Sequence, residues 1–194
     1  MIHHYEKPFT HVIIENFFSS PDLSLIETNL LKVDSMFSHN QQLNEKPNKT
    51  YNSIWLYENK DVEEICTIAK IIENRMWSND MREIYKNTND SAFMFYSLTA
   101  ESHIEVIKKH KGWSRDYHRE NYKSLTACIV ISTNSMDING IAFVAENKEQ
   151  KTLQLKSNSC ILFPSEAMKS FLEKKNDIPT YMIMYHASPR YKFR

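Results

Sequence analysis

The sequence predicts an α+β chain, mainly β: an antiparallel sandwich or barrel braced by N-terminal helices. Three observations carry this expectation. Apolar residues recur at helical spacing up to about residue 86, the period falls to two beyond Asp90, and turn residues such as Asn139-Gly140 and Ser157-Asn158 separate most of the short apolar runs. Helices first and short strands afterwards is the order expected of sheets covered by helices on one side.

Each element follows from local pattern. Pro8 to Phe18 (PFTHVIIENFF) reads as extended, and Pro21-Asp22 opens a helix to about Val33, with Leu23, Ile26, Leu30 and Leu31 at helical spacing. Residues 34–52 are polar and rich in Asn and Gln, which predicts a loop, and Ser53 to Tyr57 (SIWLY) is a short strand. Asp61 to about Lys86 is the longest predicted helix, with Ile65, Ile68, Ala69, Ile72, Met76 and Trp77 recurring at three and four. Candidate strands follow at 92–98, 103–109, 124–132, 141–145, 151–156, 159–163 and 180–186. There is no linker, repeat or low-complexity segment. Residues 1–194 therefore read as one domain, 1–90 a helical support and 91–194 the barrel strands.

Composition narrows the function classes. The chain has 194 residues, 41% of them hydrophobic, enough for a sizeable core. Lys+Arg and Asp+Glu are both 24, so no overall field favours nucleic acid or an anionic membrane, and neither is an expected partner. Lys108, Lys109 and Lys111 read as a solvated strand end. Cys66, Cys128 and Cys160 are odd in number and scattered, with no CxxC, which argues against a disulfide or zinc scaffold and suits a reducing compartment. Cys128 and Cys160 lie in apolar runs and read as small core residues. The N-terminus shows no apolar signal core and no stretch approaches membrane-spanning length, so a cytoplasmic location is expected. Only two glycines occur, Gly112 and Gly140, which excludes Gly-rich phosphate loops and the dinucleotide fingerprint.

The chemistry-bearing stretch is Lys109 to Tyr122, KHKGWSRDYHRENY. In a strand, His118 and Glu120 share one face, and an imidazole with a carboxylate supplies two of the three metal ligands of a non-haem Fe(II) facial triad. Any such pair on a surface strand end fits the same pattern. Trp55 and Trp77 read as packing; Trp113 and Tyr117 flank the expected pocket mouth, with Tyr122 nearby, where they either stack on a substrate or are exposed turn aromatics.

These segments, in their order and spacing, resemble the prolyl-4-hydroxylase-like branch of the 2-oxoglutarate/Fe(II) oxygenases along most of the chain. PFTHVIIENFFSSPDL resembles the family's strand-then-helix entry. Gly112 lies six residues before His118, as in the family's Y-x-x-G-x(5)-H-x-D segment. SLTACIVIS (124–132) resembles the next strand, Asn139-Gly140-Ile141-Ala142-Phe143 the family's hairpin, Ser159 to Pro164 (SCILFP) the strand after it, and Lys169-Ser170-Phe171 the residues before its second metal histidine. The resemblance implies a double-stranded β-helix (jelly-roll, cupin-like) barrel, Fe(II) and 2-oxoglutarate as cofactors, and hydroxylation of a peptide or small molecule. It implies His118 and Glu120 as metal ligands.

The departures are as informative. By this alignment the distal metal histidine falls at Leu172 and the arginine that clamps 2-oxoglutarate near Met182, where no basic residue stands; the tyrosine of Y-x-x-G is Lys109 and the aspartate of H-x-D is Glu120. His110, near the turn before His118, and His186, roughly 13 Å along its strand from Met182, are the alternative histidines. Arg190 and Lys169 could replace the clamp charge only from other directions. Three readings follow: an oxygenase with altered ligands, a catalytically inactive β-helix binding module, or a cupin-like protein with a different metal site.

Overall fold

The computed structural model describes residues 1–7, 9–41, 50–96, 100–111, 115–118, 125–132, 139–144, 150–172, 174 and 176–189. The N-terminal part alternates strand and helix: β1 (Ile2–Tyr5), β2 (His11–Glu15), α1 (Ser20–Lys32), β3 (Ser38–Gln41), β4 (Thr50–Trp55), α2 (Glu63–Met76), α3 (Asn79–Asn87) and α4 (Ser91–Tyr96). Eight strands follow: β5 (Ala100–Lys109), β6 (Arg115–His118), β7 (Leu125–Ser132), β8 (Asn139–Val144), β9 (Gln150–Leu155), β10 (Ser159–Pro164), β11 (Met168–Phe171) and β12 (Thr180–Pro189).

Local chemistry sets the helix ends. Ser19 accepts the Asp22 amide on its hydroxyl at 3.3 Å, with Pro21 in the first turn of α1. The helix expected over 61–86 is two helices. Ser78 is extended (φ −61, ψ 159) and its hydroxyl caps the Met81 amide, so α2 stops and α3 starts afresh. The strand expected over 92–98 is instead α4 across residues 91–96, with residues 97–99 outside those described. Its SAFMFY alternation is too short to separate the two periods, and the Asp90 carboxylate accepts the Ala92 amide at 2.8 Å, a local turn that favours the helix.

The described strands form an eight-stranded sheet, β1-β2-β10-β7-β12-β5-β4-β3, and a four-stranded sheet, β6-β11-β8-β9. Every pairing is antiparallel. From β5 onward the chain passes back and forth between the sheets, which is the winding of a double-stranded β-helix. The N-terminal strands β1 to β4 widen the larger sheet on both sides.

Two apolar layers result. The outer one joins Ile26 and Leu30 of α1, Ile65, Ile68 and Ile72 of α2, and Met81 and Tyr85 of α3 to the outward residues of the large sheet, including Val106, Ile129, Ile131 and Ile183. The inner one lies between the sheets and contains Ile107, Cys128, Val130, Ile141, Phe143, Phe163, Phe171, Met182 and Met184. β7 is buried along its whole length because it serves both layers. Trp77 packs on the outer layer, as its spacing predicts. With only two glycines in the sequence, asparagines take the left-handed turns: Asn158 (φ 58) also bonds both backbone polar groups of Phe18, fixing the N-terminal segment to the β9–β10 turn. Among the described residues no helix is long and apolar enough to cross a membrane.

Candidate ligand site inside the barrel

Strand parity decides which side chains enter the barrel. On β5, Ile104 and Val106 join the outer layer and Ile107 the inner one, so Glu105 and Lys109 share the inner face with Ile107. Both are buried, at 5% and 2% exposure. The cross-strand partners agree: Glu105 lies opposite Met184, and Lys109 opposite Thr180 at the start of β12. Lys109 is thus not the solvated strand-end residue its sequence neighbours suggest. Lys108, which points the other way, pairs with Asp34 at 2.6 Å, and Lys111 is exposed beside Asp177 at 3.4 Å.

The second inner cation comes from the smaller sheet. Lys169 on β11 lies opposite Phe143 of β8 on one side and opposite His118 of β6 on the other. It is fully buried, and its ammonium sits 5.3 Å from the centroid of the Phe163 ring. Lys109 and Lys169 both act on the thiol of Cys128, on the inner face of β7. Burial pushes that thiol up to about 12, and the two ammonium groups pull the other way. Two buried cations, one from each sheet, therefore lie near enough to Cys128 to affect its thiol.

The sequence alignment set Leu172 where the second metal histidine would stand, opposite His118. The register corrects this: the residue opposite His118 is Lys169, three positions earlier. Leu172 lies just past the end of β11, 37% exposed, with its amide donating to the Gly140 carbonyl. Met182 is buried on the inner layer opposite Ile107, and Lys109 lies two positions further along β5, opposite Thr180. His110 is exposed at the end of β5. His186 is buried at the far end of β12, its Nδ1 3.1 Å from the Thr126 hydroxyl, which in turn lies 2.8 Å from that of Ser165.

His118 closes β6, and Glu120, Gly112, Trp113, Tyr122 and Arg190 lie outside the described residues. Among the described residues no three His, Cys, Asp or Glu side chains gather where one metal ion would sit. At the register position beside His118 stands a lysine, which does not suit a divalent cation. A lysine ammonium has no lone pair to donate.

No family model matches the sequence, and no curated protein sequence matches it. Solved structures do match, by shape. The prolyl-4-hydroxylase of Pseudomonas putida superposes with a TM-score of 0.66 at 9% identity, covering 93% of this chain and 93% of that one. The fold is that of the 2-oxoglutarate/Fe(II) oxygenases. An oxidoreductase of the 2OG-Fe(II) oxygenase family from Burkholderia pseudomallei gives 0.62 at 11% identity, over 93% of this chain and 84% of its own. HygX from Streptomyces hygroscopicus, solved with nickel and 2-oxoglutarate bound, gives 0.62 at 8% identity, over 93% and 83%.

Lys169 and Lys109 carry too little local signal for the sequence to have placed them together. The parity of Glu105-Ile107-Lys109 with buried Ile107 was available as a pattern. The partner of His118 was not, because β6 and β11 are joined only through the folded sheet.

Proposed function

We propose that this chain is a double-stranded β-helix binding module of oxygenase architecture that holds a small-molecule ligand inside its barrel and does not run Fe(II)/2-oxoglutarate hydroxylation. The observation that carries this is Lys169: a fully buried lysine stands directly across from His118, where a metal ion held by His118 and Glu120 would require a neutral or anionic donor. The fold supplies the cavity type and the inner cations supply ligand affinity. The oxygenase reading keeps two supports: the solved structures that the fold matches, and the H-x-E sequence that begins at the last residue of β6.

The test is to titrate the purified chain with Mn(II) and Fe(II) by calorimetry, beside Lys169→His. The wild type is expected to bind neither metal at micromolar concentration. Lys169→His, which offers a donor beside His118, is expected to gain at least tenfold in Mn(II) affinity, and a further His118→Ala change should remove the gain. Stoichiometric metal in the wild type, lost in His118→Ala, would overturn the proposal and restore the oxygenase.

A further inference from the structure

We infer that β1, with Lys7 and Phe9 behind it, forms a clasp between the two sheets, and that a proton taken up by His11 releases it. This goes beyond the binding-module reading and is independent of what the barrel holds.

The clasp sits where the edges of both sheets meet. β1 ends the large sheet and β9 ends the small one. Lys151 of β9 donates to the Lys7 carbonyl at 3.4 Å, and its ammonium lies 4.2 Å from the centroid of the Tyr5 ring. Phe9 packs edge-on against Phe143 of β8, with ring centroids 4.7 Å apart. His11 joins these contacts. It lies opposite Tyr5 in the β1–β2 register, stacks on that ring at 4.8 Å, and lies 6.1 Å from the ring of Phe143.

The chemistry of the imidazole makes the clasp sensitive to charge. His11 is fully buried, and its Nδ1 lies 2.9 Å from the Phe9 carbonyl. A carbonyl only accepts, so the neutral ring carries its proton on Nδ1, and a second proton enters at Nε2. Nε2 is buried and has no hydrogen-bond partner. Protonation there creates a charged donor with no acceptor, which a buried site disfavours strongly. The neighbours offer it no counter-charge. Tyr5 faces it from β1, with His3 beside Tyr5 at 6.4 Å; Phe143 faces it from β8, and Lys151 from β9 is itself a cation. Lys169 of β11 lies one ring further in, 5.3 Å from the Phe163 ring that packs on Phe143. Glu6 and Lys7 are exposed. Burial and Lys151 accordingly hold the His11 pKa below its ordinary value, against the Phe9 bond.

The element that yields is β1. Lifting Tyr5 uncovers a face of the His11 ring, and Tyr5 is carried by a four-residue edge strand paired only with β2 among the described strands. β7 and β12 have strand neighbours on both sides and stay in place. Acid therefore opens the barrel at this edge, beside Phe143 of the inner layer.

The experiment uses the full chain. Hydrogen exchange is read by mass spectrometry at pH 7.5 and 5.5, corrected for the intrinsic pH dependence of exchange. An open form that takes a proton near pH 6.5, against a closed form that refuses it, gains up to about tenfold in population over this range. Opening of β1 is expected to rise by about threefold to tenfold while β7 and β12 keep their protection. In His11→Phe, which keeps an aromatic ring and does not titrate, the rise should vanish. Nitrogen NMR of the wild type reads the ring without any substitution: His11 should carry its proton on Nδ1 at pH 7.5 and titrate below the ordinary imidazole value. No rise in the wild type, an equal rise in folded His11→Phe, or protection lost equally from β7 and β12 overturns the inference. So does a proton on Nε2 at pH 7.5, or a His11 that titrates at or above its ordinary value.

Discussion

Gly140→Ala offers a quantitative test of the register that places Lys169. Gly140 lies on β8 beside the end of β11, and the Leu172 amide donates to its carbonyl at 3.0 Å, so the two backbones are tied together. A Cβ at position 140 would stand 2.5 Å from Leu172 Cδ1 and 3.0 Å from both Leu172 Cβ and Cγ, well inside the usual carbon contact of about 3.5–4.0 Å. The Cδ1 methyl can rotate away, because Leu172 is 37% exposed. Its Cβ cannot move without moving the strand end. Overpacking of this kind costs about 1–3 kcal/mol, whereas replacing a strand glycine gains about 0.5–1 kcal/mol from the unfolded chain. The expected net loss is about 0–2.5 kcal/mol. Leu172→Ala alone should cost less than about 1 kcal/mol, since the side chain is part-exposed. In the double variant the Cγ and Cδ1 contacts are gone and only the Cβ–Cβ contact at 3.0 Å remains, so the Gly140→Ala penalty should shrink without vanishing. Urea unfolding of the four proteins closes the cycle. A Gly140→Ala penalty undiminished by Leu172→Ala would refute the β8–β11 register and with it the position of Lys169.

Two further outcomes are expected. Cys66 is exposed while Cys128 and Cys160 are buried with thiols raised by burial, Cys128 to about 12; a thiol reagent at pH 8 should therefore modify one cysteine quickly and the other two only on unfolding, counted by mass spectrometry. Fast labelling of Cys128 would show that solvent reaches the inner face. His11 is buried, bonded through Nδ1 to the Phe9 carbonyl at 2.9 Å, stacked on Tyr5 and near Lys151; burial lowers its pKa, the Phe9 bond opposes this, and Lys151 adds to the lowering. The unfolded chain therefore binds the His11 proton more readily, so the stability tied to this residue is present above about pH 6.5 and declines as pH falls below it. His11→Asn, which keeps a donor near Nδ1 but does not titrate, should lose less stability than the wild type between pH 7.5 and 5.5. Parallel loss in the two proteins would rule His11 out as a source of that pH dependence.

The sequence by itself determined the helical face of α2 and the alternation of the later strands: Ile65, Ile68 and Ile72 were legible as the helical face that covers a sheet, whereas four strands before α2 and the helix α4 beyond Asp90 cross the boundary that the change of period suggests. Its misreadings were local and short: α4, where six residues cannot distinguish two periods, and the break at Ser78, where one hydroxyl outweighs a continuous apolar stripe. The N-terminal strands were only partly legible, because β1 and β3 are short and polar and are held by pairing with β2 and β4 rather than by an apolar pattern of their own.

Only the tertiary structure decided the site. His118 and Glu120 could be singled out because two residues in alternation share a face whatever the fold. Their surroundings could not. Lys109 is read from its neighbours as surface charge, yet strand parity turns it inward beside Ile107, and Lys169 becomes the partner of His118 only when β6 and β11 pair across some fifty residues of chain. One slipped position would have brought a different residue opposite His118. A sequence pattern fixes which face a side chain takes along its own strand. Which strand lies beside it, and at what register, is fixed by burying both sheets at once.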